Sequence, residues 1–166
     1  MVAGDATGDD GGTGDVTSNA ARGDAGRVND ANGHRYLVVR ASAPISWTEA
    51  RVAAEALGGH LATVTSSSEN DFIFSLVSRD RTAWGPTGTR GPWLGGVRPS
   101  KGAAWTWITG EPFTYESWFA GEPNNVGDAN AYLAFFDPNR LTPGWGDEGL
   151  SGYDDVVSFI VEFDQG

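Results

Sequence analysis

From Asn32 onward the apolar positions fall into short groups whose spacing changes along the chain. HRYLVVR (34–40) has a dense apolar centre of strand-forming residues and predicts a strand. In SWTEARVAAEALGG (46–59) the period changes. Ala50, Ala53, Ala54 and Leu57 recur at helical intervals, and Ser46 and Glu49 have the S-x-x-E spacing of a capping box. Gly58-Gly59 ends that helix. HLATV (60–64) is short and extended. TSSSENDFIFSLVSR (65–79) repeats the helical logic, with a second box expected at Ser66 and Glu69 and one apolar stripe of Phe72, Ile73, Leu76 and Val77.

After Arg79 the texture changes. RDRTAWGPTGTRGP is a Gly/Pro loop, and WLGG (93–96) and WTWI (105–108) read as short strands. From Thr109 to Asn130 almost nothing is periodic. YLAFF (132–136) has the composition of a buried strand, PGWGDEG (143–149) reads as a polar loop, and SFIVEF (158–163) closes the pattern as a strand. Strand, helix, helix, several short strands and one long loop make an α+β domain. A loop of that length inside a compact domain is functional or disordered, and its Trp and Pro residues predict an ordered one.

Composition sharpens the boundaries. Residues 1–30 hold seven Gly and six Asp and no aromatic residue. Such a segment buries too little apolar surface to offset its ordering entropy, so 1–32 is expected to be a disordered linker or tail and 33–164 the domain. The 166 residues suit one domain, and 39% hydrophobic content with seven Trp and eight Phe suffices for a core. Eleven Lys+Arg against 22 Asp+Glu give a net charge of −11, which argues against nucleic acid and is compatible with calcium. The absence of cysteine removes disulfides, thiolate metal sites and a cysteine nucleophile. No apolar run reaches the ~20 residues of a membrane span, so membrane insertion is not expected. The opening VAGDATGDD has neither the basic nor the apolar region of a signal peptide.

One stretch concentrates candidate chemistry. GEPNNVGDANAYLAFF, from Gly121, sets side-chain oxygens around a proline just before a hydrophobic strand. By itself it allows a polar turn, a metal site or a catalytic carboxylate. Enzyme signatures are missing elsewhere: His34 and His60 are the two histidines, no H-E-x-x-H or P-loop occurs, and EGLSG (148–152) places its second Gly too early for a nucleophile elbow. The chain is therefore not expected to be an enzyme.

SWTEA…ALGGHLATV, ENDFI, WLGG, WTWITGEPFTYESW, GEPNN, YLAFF, GWGD and FIVEF, in that order, resemble the C-type lectin-like domain in its cysteine-free bacterial form. The resemblance spans roughly 33–164. It implies a fold in which the first and last strands pair, two helices flank small antiparallel sheets, and a long structured loop leaves and re-enters the core. The positions where relatives keep two disulfides are taken here by Ala54 and Val161, and by Tyr132 and Leu150, all apolar. Trp93, Trp105, Trp107 and Trp118 match core positions, while Trp84 and the loop 79–92 remain candidates for an aromatic wall beside a ligand.

The resemblance also implies a function: calcium-dependent binding of mannose-, glucose- or fucose-type sugars at the long loop. The same residues would hold Ca2+ and sugar, namely Glu122 and Asn124 about a cis Pro123, Asn130, and Asp147 of the Trp145-Gly146-Asp147 motif. Two positions depart from the family. Asn130 stands where a carboxylate is usual and Gly146 where an Asn is usual; Asp128 and Glu148 are near enough in sequence to compensate. The alternative is a metal-independent module for protein or surface adhesion. The partner would be a glycan or surface polysaccharide, or a protein, and the chain would belong to a larger multidomain protein that is secreted or held at the cell surface.

Overall fold

The computed structural model describes residues 25–125, 131–149 and 155–165. Among these residues eight strands and two α-helices follow one another as β1 (Arg27–Val28), β2 (Arg35–Arg40), α1 (Trp47–Ala56), β3 (His60–Leu61), α2 (Ser67–Ser75), β4 (Arg90–Arg98), β5 (Thr106–Trp107), β6 (Ala131–Phe136), β7 (Trp145–Glu148) and β8 (Ser158–Phe163). The sheet runs β1-β2-β8-β4-β6-β7, with β3 joined to β8 and β5 to β4. The pairings are antiparallel apart from β4 with β8, which is parallel at Trp93 and Phe159. The small sheets expected from the sequence are thus fused into one mixed sheet. As expected, the first long strand pairs with the last, from Arg35 opposite Phe163 to Arg40 opposite Ser158. The strand β1 lies inside the segment assigned to the linker, so ordered structure begins before residue 33.

The two-residue period of the strands sorts the core. Tyr36, Val38 and Ile160 enter one apolar cluster with α2 residues Ile73 and Phe74. Their strand neighbours Leu37, Val39, Phe159 and Val161 enter the other, with α1 residues Trp47, Ala50 and Ala54. Ala54 and Val161 thus share one packed cluster, and Tyr132 stacks on Trp47 with ring centroids 4.7 Å apart. Leu150 lies outside the described residues.

Helix α1 has its capping box: Ser46 Oγ accepts from the Glu49 N–H, and the Glu49 carboxylate accepts from the Ser46 N–H at 2.9 Å. Helix α2 has only half of one. Ser66 Oγ caps the Glu69 N–H, but the Glu69 carboxylate turns inward to the Thr65 N–H at 2.7 Å and the Tyr36 hydroxyl at 2.5 Å. A tertiary partner has captured the group that would have closed the box.

Two strands differ from expectation. WLGG is the middle of the nine-residue β4, whose register against β6 shifts on both sides of Trp93; such irregularities let a strand absorb Gly91-Pro92. A Cβ at Gly95 would stand 2.6 Å from the Leu61 carbonyl oxygen and one at Gly96 2.8 Å from Leu133 Cβ, so neighbours close on β4 from both faces. PGWGDEG, expected as a loop, contains β7, all four of whose residues are buried.

Candidate functional site

The described part of the long loop, 109–125, is held by aromatic packing around Trp145. The rings of Trp107, Phe113, Tyr115 and Trp118 lie 5.6–6.2 Å from its ring, most of them edge to face. The Trp145 indole N–H donates to Asn70 Oδ1 at 3.0 Å, and Asn70 Nδ2 donates to the Pro143 carbonyl at 2.8 Å. Backbone bonds then pin the loop to β7: the Trp145 N–H donates to the Ser117 carbonyl and the Phe119 N–H to the Trp145 carbonyl. Three residues after Phe119 this attachment delivers Glu122-Pro123-Asn124 beside Asp147.

The Glu122-Pro123 peptide is cis, as expected. Asn124 donates to Glu122 through both its backbone N–H (3.1 Å) and its side-chain amide (2.9 Å). Asp147, only 8% exposed, accepts the N–H groups of Asn124 (2.8 Å) and Asn125 (3.1 Å). Burial, followed by contact with Asp147, pushes the Glu122 carboxyl above its ordinary pKa. Two carboxyls held together in this way form a donor set that a divalent cation would neutralise. Three of the four expected ligands therefore converge; Asn130 and the nearby Asp128 lie outside the described residues.

Glu148 is not a spare ligand. It is buried and bonded to Arg90 Nε at 2.6 Å, and Arg90 also reaches Asp155 at 3.5 Å. Gly146 has a steric reason: a Cβ there would stand 2.8 Å from Phe136 Cβ and 3.0 Å from its Cγ. The Phe136 side chain on the neighbouring strand, from its Cβ outward, occupies the space a side chain would need.

Sequence reasoning missed Arg98, at the end of β4. It is buried, donates to Asn125 Oδ1 at 2.5 Å and stands 3.9 Å from Asp147 Oδ2. A fixed positive charge thus sits behind the acidic pair. Its distance in sequence from GEPNN hid it, and no motif marks it. Trp84 is not an aromatic wall. It is 3% exposed, packs edge-on against Phe74 and donates its N–H to the Val77 carbonyl at 2.9 Å. Its ring is apolar and its N–H has a backbone partner, so burying it satisfies both. Trp93 and Trp107 are buried, and Trp105 and Trp118 pack against the core.

A cis-proline loop that brings side-chain oxygens onto the edge strand β7, in a sheet where the first long strand pairs with the last, defines a C-type lectin-like fold. The chain belongs to the lectin C-type domain family, whose model matches residues 43–144. A lectin of Pleurodeles waltl is 32% identical over 121 residues, covering 71% of this chain and 64% of the relative, so the chain spans less than two thirds of that protein. Among solved structures, the cow CD23 carbohydrate-recognition domain, determined in the presence of a GlcNAc2Man3 oligosaccharide, superposes with TM-score 0.62 at 22% identity, covering 80% of this chain and 89% of that one. The Ca2+-independent C-type lectin SPL-2 of Saxidomus purpuratus does so with TM-score 0.62 at 24% identity, covering 79% and 86%. Both structural likenesses concern the fold.

Proposed function

We propose that the chain is a calcium-dependent carbohydrate-binding module that takes mannose-, glucose- or fucose-type sugars at the long loop. The observation that carries this reading is the meeting of Glu122 and Asp147 across the cis-proline turn. Glu122, Asn124 and Asp147 would hold Ca2+, with Asn130 as a fourth ligand, and the bound ion would supply coordination positions for vicinal sugar hydroxyls. Glu122 and Asn124 would hydrogen-bond the same hydroxyls. As a binding module it would work on a glycan or surface polysaccharide, within a larger secreted or surface-held protein.

Calcium that binds only the folded state stabilises it by about 2.7 kcal/mol at a hundredfold excess over Kd. For a domain of this size that corresponds to roughly 5–10 °C in Tm. Identical melting curves in millimolar calcium and in chelator would exclude calcium binding. A glycan panel tests specificity: Glu122→Gln with Asn124→Asp is expected to move preference toward galactose-type sugars.

One observation favours a second reading, adhesion without metal. The Arg98 guanidinium already lies beside Asp147, where it supplies part of the positive charge that calcium would bring. In that case the melting curves coincide and glycan or protein binding survives chelation.

A further inference from the structure

A second group of ligating side chains lies where the start, middle and end of the domain meet, remote in sequence from the long loop. His34 immediately precedes β2, His60 opens β3, Glu162 lies in β8 and Asp164 follows it. His34 Nδ1 is 2.6 Å from Glu162 Oε1 and 3.9 Å from Asp164 Oδ1, and His60 Nε2 is 3.3 Å from the same Asp164 oxygen. The donor atoms of His34, Glu162 and Asp164 all lie within 4.8 Å of one another. Two ligands of a tetrahedral ion at about 2.0–2.1 Å stand about 3.3 Å apart, a spacing that these distances bracket.

The surroundings orient the set. His60 Nδ1 lies 2.9 Å from the Leu61 carbonyl and is placed to donate to it. Its Nε2 faces the Asp164 carboxylate at 3.3 Å and so orients that side chain. Glu162 is fixed by the Thr63 N–H at 2.8 Å and the Tyr36 hydroxyl at 3.1 Å, while Asp164 is 68% exposed and free to close over an ion.

We propose that His34, Glu162 and Asp164 form a binding site for a divalent transition-metal ion of the zinc type, with His60 holding the Asp164 carboxylate in place. An imidazole donor selects such ions over calcium, and two carboxylates balance the charge of a dication. The ion would clasp β2 and β8 together, with β3 tied in through His60, in a chain without cysteine, so its binding would contribute directly to folding.

Zinc chloride titrated into the metal-stripped full chain, in the presence of millimolar calcium, tests the site. The expected result is saturable binding of one ion per chain, a raised Tm, and the intense visible bands of a tetrahedral centre when Co2+ replaces zinc. His60→Gln and Asp164→Asn should each weaken zinc binding about tenfold or more. Asp164→Asn changes an exposed side chain and should melt like the parent without metal, so loss of binding there is not loss of fold. Absence of saturable zinc binding by the parent chain would overturn the proposal. So would unchanged zinc affinity in both variants, which would place the ion elsewhere.

Discussion

Placing at position 146 the Asn that the family resemblance implies is expected to harm this protein. Gly146→Asn introduces a Cβ 2.8 Å from Phe136 Cβ and 3.0 Å from Phe136 Cγ. Real Cβ atoms do not approach so closely, and Phe136 is not free to swing away, because its ring packs edge-on against Phe119 with centroids 5.4 Å apart. Overpacking of this kind costs about 1–3 kcal/mol, or roughly 3–10 °C in Tm for a domain of this size. Calcium affinity is expected to fall with it, since β7 carries Asp147 on the next residue. The assays are urea or thermal unfolding in chelator and calcium titration of the same samples. Phe136→Gly supplies the control, because it removes both the Cβ and the ring: if the Phe136 side chain is the obstacle, the double variant loses less stability than the sum of the singles, by about 1 kcal/mol or more. A Gly146→Asn chain that melts like the parent and binds calcium more tightly would refute the steric account.

Other predictions follow from single contacts. Arg98→Met removes a positive charge 3.9 Å from Asp147 Oδ2 and is expected to tighten calcium binding about five- to tenfold; unchanged affinity in a calcium titration would show that Arg98 does not compete with the ion. Burial opposes ionisation of Asp137, but hydrogen bonds from Thr142, Asn139 and Leu141 outweigh it and hold the carboxyl below its ordinary pKa. Because the folded value is depressed, its contribution is present above the unfolded value of about 3.9 and lost as pH falls through the folded one. Asp137→Asn is therefore expected to be less stable by about 1–3 kcal/mol at neutral pH, with the gap closing below about pH 4 in unfolding measured against pH. Trp145→Phe deletes the bond to the buried Asn70 and should cost about 1–3 kcal/mol in chemical unfolding while weakening any calcium binding; full retention of both would detach the loop from its aromatic anchor.

The parts of the fold legible in the sequence were those whose period or cap is local. Ser46 and Glu49 lie three residues apart, and the box they form needs nothing from the rest of the chain. SFIVEF is a compact run of strand-forming apolar residues and becomes β8 over the same residues. Where a distant group intervenes, local logic fails. Glu69 leaves its box for Tyr36, which is 33 residues away. Trp145-Gly146-Asp147-Glu148 reads as polar loop because its burial comes from the aromatic loop laid over it and from the Arg90 bridge to Glu148. The same division runs through the site. Glu122, Pro123 and Asn124 are contiguous and legible, whereas Arg98, which sets the charge around them, is brought there only by the pairing of β4 with β6.

Without disulfides, the geometry of the long loop depends on packing that the core also uses. Trp145 belongs to the same buried cluster as Ile73 and Phe74 of α2, and its indole is tied to that helix through Asn70. The loop backbone is bonded to Trp145 itself, and the next strand position but one is Asp147. A disturbance of α2 is therefore transmitted to the Glu122–Asp147 pair through a few rigid contacts, with no cross-link to absorb it. The opposite side of the domain has the same construction, since Ala54 and Val161 meet by packing alone. Covalent closure of such a small domain commonly contributes about 2–5 kcal/mol per bridge. A cation at the long loop and a second at the seam of β2, β3 and β8 would each act where the chain has no covalent closure. Metal supply would then govern stability as well as recognition.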